Sequence, residues 1–165
     1  MAPAETLPSP RLFVQDKDTH LLPQLAQIHA LCIEHDAQLA TFLPPLDIPT
    51  MTTYWTRIAR TAGHTPTLDS PSGCEIILQM AASSEAEAEA GKGEGEVVAG
   101  YVVLSMAWSQ TGPFRAEVLK LMVHPNFRRR GVARRVMGML EGVAKEKGRG
   151  MLVSNRNFIP SVPVK

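Results

Sequence analysis

Between Val97 and Trp108 the chain is apolar almost without interruption, VVAGYVVLSMAW, and this run limits what the rest can become. It is far shorter than the roughly 20 residues of a membrane span. It also lacks the polar alternation of a strand with one wet face, so it predicts a strand covered on both sides, at the centre of a sheet. Thr111-Gly112-Pro113 supplies turn chemistry after it, and Ala116 to Val123 reads as a second strand, joined to the first as a hairpin. Simple alternation puts Glu117, Leu119, Leu121 and Val123 on one face of that second strand.

At 165 residues the chain suits one domain whose core needs no disulfides. Lys and Arg number 17 against 16 Asp and Glu, a formal charge of +1, which argues against polyelectrolyte disorder and against a dedicated nucleic-acid binder. The only cysteines, Cys32 and Cys74, have neither CxxC spacing nor a nearby His pair, so they read as buried free thiols, with no metal site. There is no signal-peptide pattern, lipidation motif or membrane-length apolar run, and the default expectation is a cytoplasmic protein with no membrane partner.

The remaining elements follow from local pattern. Residues 1–10 hold three prolines and predict a disordered tail before a short strand near Arg11 to Gln15. Leu22, Leu25, Ile28, Leu31, Cys32 and Leu39 recur at helical spacing over 21–39. Phe42-Leu43-Pro44-Pro45-Leu46-Asp47 then breaks the helix into a partly apolar loop. Thr50 or Thr52 is the expected cap of a second helix running through Ala62, with Met51, Trp55 and Ile58 along one side. Cys74 to Met80 predicts a strand, whereas 82–96 is Ala, Ser, Gly and Glu with no large hydrophobe and predicts a flexible acidic insertion. From Gly131 to about Lys147 a third helix is marked by Val132, Val136, Met139, Leu140 and Val143, and Met151 to Ser154 begins another strand. Residues 155–165, with two prolines and no period, read as an irregular tail.

Chemistry concentrates in one stretch. From Arg115 to Arg135 there are seven Arg and Lys residues against the single acid Glu117, a local charge of +6 in a nearly neutral chain. Arg128, Arg129, Arg130 and Gly131 lie between a strand and a helix, where free N–H groups and the positive end of the helix dipole converge on an anion. Glycine lets the backbone approach closely, and arginines add charge-assisted contacts, so a diphosphate fits there. A nucleic-acid patch is the weaker reading, since Phe127 is the only adjoining aromatic and no RRM, KH or zinc-finger spacing is present. His124, before a proline at a strand end, reads as a loop residue.

The segment Arg128-x-x-Gly131-x-Ala133, after Leu121-Met122-Val123-His124-Pro125, resembles the acetyl-CoA loop of the GNAT N-acetyltransferases. The wider run Arg115-Ala116-Glu117-Val118-Leu119-Lys120-Leu121-Met122-Val123, with Arg149-Gly150-Met151-Leu152 further on, is similar to the tabtoxin-resistance acetyltransferases of that superfamily. The resemblance implies an α/β fold with a mixed, mainly antiparallel sheet and flanking helices, over residues 11–154. It also implies acetyl transfer from acetyl-CoA to an amine of a small, toxin-like or amino-acid-like molecule. The amides of Arg128, Arg129, Arg130, Gly131, Val132 and Ala133 would hold the pyrophosphate, and the backbone of Leu121, Met122 and Val123 would pair with pantetheine. Glu117 matches the family's Ala-Glu-Val strand and is the candidate base; the alternative is an ordinary strand carboxylate paired with Arg115 or another cation. Phe42, Leu46 and Asp47 would line the acceptor side, and Trp55 reads as core.

Two departures from the family stand out. Val153-Ser154-Asn155 replaces the family's Leu-Asp-Thr, and the last tyrosine, Tyr101, precedes the cofactor loop, so the usual general acid has no counterpart. The family pattern continues through a further helix and two strands, so the resemblance implies a C-terminally truncated domain with these elements missing. An unpaired sheet edge in such a domain favours association, a homodimer included. An inactive CoA-binding module, or an unstable fragment, is the alternative to an active enzyme.

Overall fold

The computed structural model describes residues 7–36, 41–82 and 96–154. Five strands form one sheet in the order β1 (Arg11–Leu12), β2 (Ser72–Ala82), β3 (Glu96–Ala107), β4 (Arg115–Val123) and β5 (Met151–Ser154). All neighbours are antiparallel except β4 and β5, which are parallel. The apolar run therefore is the middle strand, and the mixed, mainly antiparallel sheet is the expected architecture.

Helices cover both faces. On one side lie α2 (Leu22–Asp36) and α3 (Ile48–Ala59), whose Leu25, Ile28, Met51 and Trp55 pack on Ile76, Leu78, Tyr101 and Val103. On the other lies α4 (Val132–Glu146), with Val136, Leu140 and Val143 against Ile77, Val102 and Leu104. Consecutive β3 residues thus feed opposite cores, which is why the run lacks polar alternation. Each large side chain so buried contributes about 1.5–3 kcal/mol. No helix among the described residues is long and apolar enough to cross a membrane. Both thiols are free and buried.

Several boundaries differ from the sequence expectation for local reasons. The strand near Arg11 ends at Leu12, and a one-turn helix α1 (Gln15–Asp18) replaces its second half. Asp18 causes this: its buried carboxylate accepts from Val14 N–H at 2.8 Å and pairs with Arg11 at 2.6 Å. The second helix is capped not by Thr50 or Thr52 but by Asp47, which accepts from Thr50 N–H at 2.9 Å, with Pro49 in the first turn. Of the predicted N-terminal tail, residues 7–10 are described, and the Pro8 carbonyl accepts from Gln79 and Arg135 at 2.7 Å each. Of the predicted acidic insertion, 82–96, residues 83–95 lie outside the described residues, as does the predicted C-terminal tail 155–165, whereas its ends Ala82 and Glu96 are strand residues that pair with each other.

One correction bears directly on the site. Tyr101 pairs with Met122 and Val103 with Leu119, so Val102 alone opposes Lys120 and Leu121. This is a β-bulge, with Lys120 at φ 52. The extra residue breaks the alternation: Leu119 and Met122 both pack toward α2 and α3, whereas Val123 packs with Phe127 and Val132 on the α4 side. Leu121 and Val123 therefore do not share the face of Leu119.

Candidate active site

β4 runs into a tightly built loop. After Val123, the His124 ring accepts from Asn126 N–H at 3.2 Å and starts a 3-10 turn, Pro125–Phe127, whose Phe127 is buried with Ala81, Ala99 and Val132. Arg129 (φ 64) and Gly131 (φ 76) then occupy left-handed backbone, and Gly131 caps α4. Having no side chain, it leaves the N–H groups of the first helical turn without a side-chain cap. A Cβ added at Gly131 would meet nothing within 4 Å, so the space above the bend is open. It forms a cleft of about 450 Å3 lined by Val123, Phe127, Arg128, Arg129, Gly131, Val132, Ala133 and Arg134.

Gly100, which sequence reasoning missed, makes this placement possible. A Cβ there would lie 2.7 Å from Val132 Cγ1 and 2.8 Å from the Met122 carbonyl. Only glycine lets the start of α4 sit this close to β3 and β4.

The arginines divide in their roles. Arg128 turns from the cleft to Asp36 at the end of α2, with Nη1 to Oδ1 at 2.8 Å and Nη2 to Oδ2 at 2.9 Å. That hydrogen bond holds the Asp36 carboxyl below the usual range and raises the Arg128 guanidinium. Arg135 is tied to Gln79 at 2.9 Å. Arg129 and Arg134 are exposed and line the cleft, while Arg130 is exposed beside it, 5.3 Å from the Phe127 ring centre. Arg149, beyond α4, donates to the Pro113 and Arg115 carbonyls and fastens the β3–β4 turn.

β5 pairs with β4 only over Arg115–Val118. Among the described residues, no strand pairs with the outer edge of Leu121–Val123, and Leu121 is 44% exposed. Backbone groups there have room for an extended ligand arm.

Glu117 lies opposite Ser105 and lines a cleft of about 400 Å3 with Ser105, Ala107, Arg115 and Val153. Ser105 also lines a smaller cavity of about 120 Å3 between α3 and the sheet, with Tyr54, Thr61, Ser72, Leu119 and Lys120. The structure thus brings Glu117 and Lys120 to either side of Ser105. Of the other candidates, Phe42 and Leu46 pack on the α2–α3 core, Phe42 within 5.4 Å of the His29 ring, while exposed Asp47 is engaged as the α3 cap. Trp55 is fully buried. No group of three or more His, Cys, Asp or Glu suited to a metal occurs among the described residues.

Beside this region sits a buried group that the sequence did not mark. His29 is fully buried among Phe42, Tyr54 and Trp55, and neither ring nitrogen has a hydrogen-bond partner among the described residues. Burial, helped by the Lys120 charge, lowers its pKa to about 4. Helical spacing alone places His29 next to Ile28 without saying that two aromatic elements will enclose it.

A central mixed sheet, a bulged fourth strand and a glycine-capped helix over an open cleft define a class. Residues 55–158, more than half of the chain, match the model of the Acetyltransferase (GNAT) family, and the chain belongs to that family. Solved structures with the same fold include a tandem GNAT protein from the clavulanic acid biosynthesis pathway, 19% identical at a TM-score of 0.59, covering 95% of this chain and 39% of that one. The chain therefore spans well under half the length of that relative. A ribosomal-protein-alanine N-acetyltransferase from Brucella melitensis biovar Abortus 2308 is 16% identical (TM-score 0.54; 92% of this chain, 82% of that one). An aminoglycoside acetyltransferase from an uncultured soil metagenomic sample, in complex with sisomicin, is 10% identical (TM-score 0.55; 93% and 80%). At such identities these likenesses concern the fold. No curated protein matches the chain in sequence.

Proposed function

We propose that the protein is an acetyl-CoA-dependent N-acetyltransferase whose acceptor is the amine of a small molecule, amino-acid-like or toxin-like as the similarity to tabtoxin-resistance enzymes implies. The observation that carries this is the open cleft over Gly131, where a left-handed glycine replaces a side-chain cap at the start of α4. Its free N–H groups and the exposed Arg129, Arg130 and Arg134 suit a diphosphate.

Acetyl-CoA supplies an activated acetyl thioester. The chain's own residues bind and orient it: amides from Arg129 to Ala133 at the diphosphate, the Arg128 N–H being held by the Pro125 carbonyl at 3.3 Å, and the unpaired edge of Leu121, Met122 and Val123 along the pantetheine arm. Such positioning, with backbone N–H donors near the developing oxyanion, accounts for most of the catalysis. Glu117, in the cleft beside Ser105, takes the proton from the acceptor ammonium directly or through water. Phe42 and Leu46 support the acceptor wall from the core side, and Asp47 acts on it by fixing the start of α3.

A catalytically silent CoA-binding module is the second reading, favoured by the state of Tyr101. Its buried hydroxyl donates to the Leu25 carbonyl at 2.9 Å, and burial raises its pKa well above the ordinary value, so it offers no proton to a leaving thiolate. Calorimetry with acetyl-CoA and thiol release with an amine panel separate the two. The enzyme reading expects saturable binding and amine-dependent release; binding without release leaves the module, and no binding removes both.

A further inference from the structure

The bulge at Lys120 points to what kind of acceptor the site takes. Lys120 is the one charged residue between Glu117 and His124, and its φ of 52 is unusual for any side chain but glycine. In an undisturbed strand the position after Leu119 faces α4. The bulge instead sends Lys120 to the α3 side, where it lines the small cavity with Tyr54, Thr61, Ser72 and Ser105. There its ammonium donates to the Thr41 hydroxyl and lies 5.8 Å from the Tyr54 ring centre.

Both of those partners are neutral. No carboxylate pairs with Lys120 among the described residues, and burial lowers its pKa without any compensating acid. A half-buried cation in such a setting is poorly solvated and, among the described residues, has no counter-charge. The cavity around it is also lined by Ser72 and Ser105, whose hydroxyls suit the oxygens of an anion, while the Thr61 hydroxyl is spent on the Ile58 carbonyl at 3.0 Å. Across Ser105 lies Glu117, a site for a cation.

We propose that Lys120 is a specificity-determining residue that receives a carboxylate on the acceptor, so that the site prefers zwitterionic amines such as amino acids over amines lacking an anionic group. This rests on the acetyl-transfer reading and on Glu117 receiving the amine end. Lys120 acts by holding the far end of the acceptor; it takes no part in proton transfer.

The test compares common L-amino acids with their carboxamides, which keep the amine and remove the anion. Wild-type protein is expected to favour the acids in kcat/KM by about tenfold or more, the size of one charge-assisted contact. Lys120→Met is expected to bring that ratio close to one while keeping the wild-type Kd for acetyl-CoA. Equal rates for acids and amides, or a ratio that survives Lys120→Met, overturns the proposal. A second measurement stands apart from turnover: reductive methylation of Lys120, followed by peptide mass spectrometry. Protection by the acids and not by the amides supports the Lys120 subsite even if no acetyl group moves, in which case only the enzyme reading fails. Absence of protection by either overturns the subsite, whatever the turnover.

Discussion

The Arg128 guanidinium meets the Asp36 carboxylate side by side, with oxygens at 2.8 and 2.9 Å, and so fastens the start of the loop before α4 to the last residue of α2. The two side chains are 31% and 29% exposed, so the pair adds little to global stability. Its effect is local: it fixes where the loop begins. Asp36→Asn is expected to lower unfolding free energy by less than about 1 kcal/mol, and to raise the Kd for acetyl-CoA about fivefold, as a loosened loop must be reordered on binding. Urea denaturation and calorimetry on the same protein check this; an unchanged Kd removes Arg128–Asp36 from loop positioning.

Gly100→Ala tests the close approach of α4 to the sheet. The new methyl would have to displace Val132 Cγ1 and the Met122 carbonyl, which stand 2.7 and 2.8 Å from it. Overpacking of this kind costs about 1–3 kcal/mol. The displaced start of α4 should also weaken acetyl-CoA binding, unlike an equally destabilising change such as Leu140→Val in the core of the same helix face. Equal affinities for the two variants contradict a positioning role for Gly100.

Acid stability has two windows with different owners. His29 has a folded pKa of about 4 against an ordinary 6.5, so the unfolded chain binds more protons between those values and stability falls as pH drops through that range. The loss reaches up to about 3 kcal/mol by pH 4. Asp18 and Asp36 act lower. Burial by itself would raise Asp18, but the Arg11 and Val14 hydrogen bonds outweigh it and hold its carboxyl below the ordinary value. Hydrogen bonding to Arg128 does the same for Asp36. Their stabilisation is complete above about pH 4 and is lost below it. His29→Leu is expected to flatten the profile between pH 6.5 and 4 and leave the lower limb, as chemical denaturation across pH would record; an unchanged upper limb shows that His29 is not buried neutral.

Glu117→Gln keeps the shape of the side chain and removes its basicity. Turnover is expected to fall about 100-fold, the lower end for a general base, with the Kd for acetyl-CoA unchanged. Wild-type kcat at every pH assigns Glu117 to the strand surface.

Much of the fold was legible because the long elements carry strong periods. The unbroken run at Val97–Trp108 marked the middle strand, and the spacing of Val132, Val136, Leu140 and Val143 marked α4 and its buried face. Arg128, Gly131 and Ala133 marked the loop. What escaped was set by tertiary contacts. No period reveals that Lys120 enters a bulge, because strand alternation carries no record of an added residue, and this moved Leu121 and Val123 off the expected face. The preference of Asp47 over Thr50 as a cap depends on Pro49 filling the first turn, a signal present in the sequence and outweighed there by the threonines. The Asp36–Arg128 pair joins residues 92 apart, beyond any local pattern.

In the proposed function the backbone at the start of α4 holds the diphosphate of acetyl-CoA. Amide chemical-shift mapping during titration with acetyl-CoA tests this most directly. The largest shifts are expected at Arg129 to Arg134, and Gly131→Asp, which sets a negative side chain over the bend, is expected to abolish them. Large shifts confined to other parts of the chain, with these amides still and Gly131→Asp binding as wild type, would contradict it.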